Sequence, residues 1–252
     1  MENKQKLITF GGESYPKYNN AVLVLGGEGT DKKTVINETI NIEGEVFNFE
    51  KVVEDAMRSE KFKDRLKKNW DIDLDKLDQF KLKDKTKLYE TVERLFTGND
   101  DSPSIWKLVH ESDAERKPNI IIQDTIEDSI DFYNQTFSLN KMKKYDKKDI
   151  HALWVLEDYD DLRKRNLDGI DGRIISDVNL KVTHDGIAKL MKEILMGINK
   201  HEFMDGDVWL VLGKDNVVQV KKSGSQIDRD QVTDELMKLI EERIPKHHFL
   251  KL

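Results

Sequence analysis

The feature that most constrains the fold is a short apolar run near the amino terminus that ends abruptly at two glycines. Residues 21–25 read Ala-Val-Leu-Val-Leu, and Gly26 and Gly27 follow them directly. An apolar run of this length without polar alternation is typical of a strand that is buried on both faces, as in a parallel sheet covered by helices. The run therefore predicts an α/β fold built on a parallel sheet.

The residues that follow this run have the composition of a phosphate-binding loop. Glycines let successive backbone N–H groups turn toward an anion, a lysine adds a mobile charge, and the next helix adds the positive end of its dipole. The order of strand, glycine-rich loop, lysine and helix serves this purpose in known proteins. The candidate nucleotide-binding residues are Gly26, Gly27, Gly29, Thr30, Lys32, Lys33 and Thr34.

Two registers fit the template G-x-x-x-x-G-K-[ST], and each departs from it. In the register that we prefer, the template opens at Gly26, Lys32 is the lysine, and Asp31 replaces the second glycine. One residue later, Lys33 is the lysine and Thr34 the hydroxyl, but Lys32 then replaces that glycine. Aspartate tolerates a left-handed backbone, so the loop can still form, with the Asp31 carboxylate facing the phosphates. The alternative is that the stretch merely connects the first strand to the first helix.

Composition narrows the class of protein. The 252 residues carry 42 Lys and Arg against 49 Asp and Glu, a net charge of −7, which disfavours a general nucleic-acid or membrane-surface binder. The chain has no cysteine, which excludes disulfides and thiolate chemistry. It has no apolar run long enough for a membrane span and no signal-peptide core, so we expect a soluble protein of the cytoplasm.

Further apolar runs predict the remaining strands, at 45–49, 119–125, 151–156, 207–212 and 216–220, the last two joined as a hairpin. The charged segment 51–117 has few strand signals and predicts a helical insertion after the second strand. It is either a substrate-binding lobe or a solvated helical surface. We therefore divide the chain into a lead-in (1–20), a core (21–50 and 118–252) and the insertion.

Two acidic residues follow predicted strands, where parallel sheets place functional side chains. Asp124 either holds Mg²⁺ or orients a nucleophile, or it caps a helix that starts near Thr125 and packs through Ile126, Ile130 and Tyr133. Glu50 is either a base or substrate anchor, or simply the start of the next helix, which we favour.

Cationic residues follow the fourth predicted strand. Arg163 and Arg165 are expected in an amphipathic helix, paired with nearby acids. Arg173, between glycines, is the best candidate for a mobile arginine that stabilises charge during phosphoryl transfer. A further helix is predicted to open at 182–186, with His184 as a cap or surface residue, and a last helix at about 228–243.

Several of these segments together resemble bacteriophage-encoded P-loop kinases and are similar to zeta-toxin-like and adenylate-kinase-like proteins. The segments are Tyr15-Pro16, the loop from Gly26 to Thr34, Asn119 to Thr125, Leu153 to Leu156, Asn166 to Ile175, and Thr183 to Gly186. The loop itself resembles the kinase sequence GGPGSGKGT. The resemblance implies a Rossmann-like P-loop NTPase fold, ATP or GTP with Mg²⁺, and a nucleotide or other small-molecule acceptor. It also implies that Lys32 binds phosphate, Thr34 and Asp124 lie at the metal, and Arg173 is the lid arginine.

Three functions follow from these patterns. The first is a degenerate kinase-like protein, weak or inactive as a phosphotransferase and kept as a structural or interaction protein, whose partners are other phage proteins or a second copy. The second is an active ATP- or GTP-dependent kinase. The third, nucleic-acid processing through the basic segments Lys141 to Lys148 and Arg163 to Arg165, is opposed by the net charge. For the first function we expect the host cytoplasm or the virion as location.

Overall fold

A computed structural model gives the fold of the chain. It describes residues 19–40, 45–48, 58–71, 73–76, 117, 119–126, 128–169, 174–197, 202–213 and 216–243. The strands are β1 (Ala21–Gly26), β2 (Glu45–Asn48), β3 (Ile120–Asp124), β4 (Ile150–Leu156), β5 (Val208–Leu212) and β6 (Asn216–Lys221). The α-helices are α1 (Lys32–Thr39), α2 (Glu60–Trp70), α3 (Ser129–Phe137), α4 (Tyr159–Leu167), α5 (Asp177–Leu195) and α6 (Asp234–Arg243). One π-helical turn, Ser138–Met142, continues α3.

Within the described residues, six strands form one sheet in the order β2-β3-β1-β4-β5-β6. Strands β2, β3, β1, β4 and β5 are parallel, and β6 returns antiparallel to β5. The predicted α/β architecture, with its parallel sheet and closing hairpin, is confirmed. The gap between the fifth and sixth strands, 214–215, lies outside the described residues.

The core lies on both faces of the sheet, because side chains of a strand point alternately to opposite sides. Leu23 and Leu25 of β1 pack on the face that carries α3, α5 and α6. Val22 and Val24 pack on the opposite face against Ile36 of α1. All six residues of β1 are buried, as expected for a central strand of a covered parallel sheet.

Three predicted helix starts are wrong, because each helix begins at a side-chain cap other than the residues from which the start was predicted. Helix α5 begins at Asp177, where Ser176 accepts a hydrogen bond from the Asn179 N–H, so residues 183–186 lie inside the helix. Helix α6 begins at Asp234 instead of near residue 228, and the Thr233 hydroxyl accepts a hydrogen bond from the Leu236 N–H.

Helix α3 begins at Ser129 and is capped by Asp128, whose carboxylate accepts from the amides of Ile130 and Asp131. This start is later than predicted, and the side of the helix that faces the core also differs from the prediction. Phe132 and Thr136 are buried, whereas Ile130 is 65% exposed and Tyr133 is 46% exposed. The prediction that these last two residues pack inside is therefore wrong, although Ile126 is buried as expected.

The insertion is described only in part. Helix α2 and a short 3₁₀ turn, Leu74–Lys76, lie within the predicted helical segment. Lys63 of α2 forms an ion pair with Asp75 of that turn, with 2.8 Å between the charged atoms. None of the described helices is long and apolar enough to cross a membrane.

Candidate functional site

The candidate site lies where β1, β3 and β4 end at the carboxyl edge of the sheet. Strand β1 connects to β2 through α1 on one face, and β3 connects to β4 through α3 on the other face. The two connections therefore leave β1 and β3 in opposite directions and open a crevice between them. Crevices at such switch points are where α/β sheets bind ligands.

The loop between β1 and α1 turns tightly at two glycines. Gly29 has φ of +72°, a left-handed conformation that favours glycine. Gly27 lies against α5, where an added Cβ would stand 3.2 Å from both the backbone N and the Cα of His184. The loop is thus held between the sheet and α5, and a side chain at position 27 would press against the backbone of α5.

Asp31 is the N-cap of α1 rather than a left-handed loop residue. Its φ is −77°, and its carboxylate accepts a hydrogen bond of 3.1 Å from the Thr34 N–H. The loop therefore forms without a left-handed backbone at Asp31. Its carboxylate lies at the helix N-terminus, which is where a phosphate would take its amide hydrogen bonds and meet the helix dipole.

Lys32 folds back over the loop. Its Nζ donates to the carbonyl oxygens of Gly26, at 3.2 Å, and of Gly27, at 3.0 Å, and approaches the Thr125 hydroxyl at 3.4 Å. The neighbouring Lys33 is exposed. This geometry favours the register in which Lys32 is the loop lysine.

Asp124, at the end of β3, pairs in register with Leu25 of β1. Its Oδ1 accepts from the Thr125 N–H at 2.8 Å, and its Oδ2 accepts from Nε2 of Gln135 at 2.7 Å. Because Asp128 caps α3, the alternative that Asp124 is the helix cap is wrong. Gln135 instead fixes the orientation of the Asp124 carboxylate at the edge of the crevice.

Glu157, the first residue after β4, reaches the loop from the other side. Its Oε1 accepts a 2.7 Å hydrogen bond from the Asp31 N–H, and its Oε2 forms a 2.8 Å ion pair with Arg165 of α4. Arg165 also donates to the carbonyl oxygen of Gly29 at 2.7 Å. The Glu157 carboxylate thus accepts a hydrogen bond from a loop amide, as a bound anion would. Arg165 contacts both Glu157 and the loop backbone.

Helix α5 completes the wall behind the loop. The Thr183 hydroxyl accepts from the Glu28 N–H at 2.9 Å and donates to the Asn179 carbonyl at 2.9 Å. His184 is buried, and its Nε2 donates to the Arg243 carbonyl oxygen at 2.6 Å, so its predicted cap or surface role is wrong. Burial lowers the pKa of His184 below its ordinary 6.5, against the opposing effect of that hydrogen bond.

The structure describes two of the three arginines for which a role is predicted. Arg163 and Arg165 lie on α4 and pair with Asp177 and Glu157, so the predicted helix with acid partners is confirmed. Arg173 and Glu50 lie outside the described residues. Their assigned roles therefore stay predictions.

A magnesium ion bound with a nucleotide would fit the oxygen donors present. The Asp124 carboxylate lies at the end of β3 with its orientation fixed by Gln135, and Thr34 offers a hydroxyl in the first turn of α1. Magnesium is commonly held by one or two such protein groups together with phosphates and water. Across the described ranges, no group of three or more His, Asp or Glu side chains is arranged to hold a metal by itself.

Sequence reasoning brought Gly26, Gly27, Gly29, Thr30 and Lys32 to one loop, and Asp124 to the neighbouring strand end. It missed the three side chains that contact the loop from other elements, which are Glu157, Arg165 and Thr183. One signal was available for Glu157, since it directly follows a predicted parallel strand and so lies at the same edge. None was available for Thr183, which lies inside a helix whose start was misplaced.

Fold and site together define an α/β protein with a glycine-rich, lysine-bearing loop between β1 and α1 at the switch point of a parallel sheet. No protein-family model matches the sequence, and no curated protein matches it. It is similar to a solved structure from the "molecular and structural characterization of the PezAT chromosomal toxin-antitoxin system of the human pathogen Streptococcus pneumoniae". The identity is 14%, the match covers 93% of this chain and 88% of that chain, and the TM-score is 0.44. A similarity at this level does not indicate an activity, so any inference about activity rests on the residues of the loop.

Proposed function

We propose that the protein is a degenerate P-loop kinase-like protein, weak or inactive as a phosphotransferase and retained as a structural or interaction protein. One observation carries the proposal. Amides that a phosphate-binding loop presents to its ligand donate to the protein's own side chains, the Asp31 N–H to Glu157 and the Thr34 N–H to Asp31.

A phosphate would compete with these carboxylates for the loop amides. A carboxylate that accepts from a backbone N–H forms a charge-assisted hydrogen bond, which is stronger than a neutral one. A phosphate must displace Glu157 and Asp31 from these amides, and it must do so against two negative charges at close range. Both effects lower affinity for nucleotide without disturbing the fold.

The second candidate is an active ATP- or GTP-dependent kinase that phosphorylates a nucleotide or another small molecule. The observation that favours it is the convergence of Lys32, Thr125 and Asp124 at the ends of β1 and β3. In this case Lys32 moves from the loop carbonyls to a phosphate, Thr34 and Asp124 hold Mg²⁺, and Arg173 reaches the transferring group. The bound metal would neutralise phosphate charge, and the loop residues would orient the donor.

The interaction role extends to partners and location. The resemblance to bacteriophage-encoded kinases supports a role in a phage particle or its assembly, with other phage proteins or a second copy as partner. The host cytoplasm or the virion is the corresponding location.

The test is the thermal midpoint of the full chain with and without millimolar Mg·ATP or Mg·GTP. A nucleotide at about 100 times its dissociation constant adds roughly 2.7 kcal/mol to stability. We expect little rise for the natural chain and a larger rise for Asp31→Gly, which removes a competing carboxylate from α1. The matched control is Asp128→Gly, which removes the equivalent cap from α3.

Two results would count against the proposal. One is a full rise for the natural chain together with transfer of the γ-phosphate to a small acceptor, which establishes the active kinase. The other is a nucleotide response that is equal for Asp31→Gly and Asp128→Gly, because the carboxylate at the loop would then have no special effect.

A further inference from the structure

A second surface carries exposed apolar side chains along α3 and the π-helical turn after it. Ile130, Tyr133, Phe137 and Met142 are 65%, 46%, 38% and 59% exposed. They recur at helical spacing and form a stripe roughly 18 Å long, at 1.5 Å of rise per residue. Exposed apolar stripes of this kind on a folded domain commonly mark interaction sites.

Aromatic contacts hold part of this stripe in place. The rings of Tyr133 and Phe137 lie nearly parallel, with an interplanar angle of 15°. Both meet the edge or face of Phe203, which precedes β5, at centroid distances of 5.1 and 5.2 Å. The stripe is therefore anchored at its centre before any partner binds, which reduces the entropy cost of binding.

Lysines line the same surface. The Nζ atoms of Lys141 and Lys147 each lie 5.6 Å from the centroid of the Phe203 ring. Lys144 and Lys148 are exposed on the same connection to β4. In the described part of the chain, none of these four lysines forms an ion pair. Residues 141–149 contain five lysines and two aspartates, Asp146 and Asp149, so this connection is locally cationic in a protein of net charge −7.

We propose that this lysine–aromatic surface (Ile130, Tyr133, Phe137 and Met142, supported by the buried Phe203, with Lys141, Lys144, Lys147 and Lys148) binds an acidic amphipathic helix of another protein. The apolar stripe matches the apolar face of such a helix, and the lysines match glutamates or aspartates on its flanks. A nucleic acid fits less well, because Ile130 and Met142 have no ring on which a base can stack and the net charge repels a long polyanion.

The lysine end of this surface lies away from the candidate site. The lysines and Phe203 precede β4 and β5, so they lie at the amino edge of the sheet, whereas the loop after β1 lies at the carboxyl edge. The inference extends the proposed interaction role, yet it does not depend on whether the loop binds nucleotide. Failure here would leave the thermal response to Mg·ATP unchanged, so the two proposals are tested separately.

The experiment measures fluorescence anisotropy of the full chain with three probes. The first is a labelled helical peptide of about 15 residues with leucine and phenylalanine on one face and glutamate on its flanks. The second has the same composition in an order without an apolar face, and the third is a single-stranded oligouridylate. We expect binding of the first peptide, at least about tenfold tighter than the second, and weaker binding as salt is raised.

Two pairs of variants locate the binding. Lys141→Glu with Lys147→Glu should weaken the first peptide by about tenfold or more, whereas Lys61→Glu with Lys189→Glu, equal in charge and exposed elsewhere, should change it by less than about twofold. Ile130→Ser with Met142→Ser should likewise weaken it, and the control is Val178→Ser with Val182→Ser, which changes two exposed apolar residues of α5. Thermal midpoints of all four variants verify folding.

Each of four results would overturn the proposal. They are no binding of the first peptide at millimolar protein, equal binding of the second peptide, equal losses in the control variants, and tighter binding of the oligouridylate. Sedimentation supplies a fifth, because self-association that Ile130→Ser with Met142→Ser abolishes would assign the surface to a second copy.

Discussion

Replacing Glu157 by Gln tests whether the protein's own carboxylate limits anion binding at the loop. Glutamine keeps an oxygen for the Asp31 N–H, now 2.7 Å from Oε1, but removes the charge that competes with phosphate. A charge-assisted hydrogen bond contributes roughly 1.5–3 kcal/mol and a neutral one roughly 0.5–1.5 kcal/mol. The difference, about 1.4 kcal/mol, corresponds to about a tenfold gain in affinity for nucleotide.

The substitution also has a cost. It weakens the ion pair with Arg165, whose side chain is 39% exposed, so we expect the nucleotide-free protein to lose only about 0.5–1 kcal/mol. At Mg·ATP concentrations well above both dissociation constants, the gain in affinity should appear as an additional rise of roughly 3–6 °C in the thermal midpoint, and at lower concentrations as a smaller one. Isothermal titration of the same samples gives the dissociation constants directly.

Asp158→Asn is the matched control. It removes one charge from the adjacent position and keeps the cap of α4, because asparagine can also accept from the amides of Asp160 and Asp161. We expect its affinity for Mg·ATP to equal that of the natural chain. If Glu157→Gln and Asp158→Asn bind equally while both remain folded, the competition argument is refuted.

Three further predictions concern the structure around the loop. Gly27→Ala should cost about 1–3 kcal/mol in urea unfolding, since the new Cβ would meet the backbone of His184, and an unchanged stability would contradict that close approach. The natural chain should lose stability as pH falls below 6.5. Burial lowers the pKa of His184 in the folded state, so just below pH 6.5 the unfolded chain gains a proton at this residue and the folded chain does not. His184→Gln should flatten this pH dependence in urea titrations. Phe132→Ala should cost about 3–5 kcal/mol, because its buried ring lies 5.1 Å from that of Trp154, and a loss below about 1 kcal/mol in the same titrations would argue against this packing.

The sheet could be predicted from the sequence because each strand is a short apolar run with its own boundaries. Residues 21–25, 151–156 and 207–212 each lie within one residue of the observed strand at both ends. The glycines and Lys32 could also be placed, because loop chemistry is local. The order of the strands in the sheet depends on which strands pair with each other, and no single segment of the sequence shows this.

The helix starts and the loop partners could not be predicted in the same way. The apolar spacing after residue 186 predicts that helix α5 opens at 182–186, whereas the Ser176 cap sets its start earlier. The contact of Glu157 with Asp31 joins residues 126 positions apart, and that of Thr183 with Glu28 joins residues 155 apart. Such pairs depend on how α4 and α5 pack on the sheet, which no local pattern contains.

The central claim is that the amides between β1 and α1 form an anion-binding loop that the protein's own carboxylates hold. Amide NMR of residues 27–34 during titration with Mg·ATP tests it most directly, in the natural chain and in a variant that combines Asp31→Gly with Glu157→Gln. We predict small shifts for the natural chain up to about 10 mM nucleotide and saturating shifts of these amides for the variant. Equal saturation in both proteins, or no response of these amides in the variant, would contradict the account.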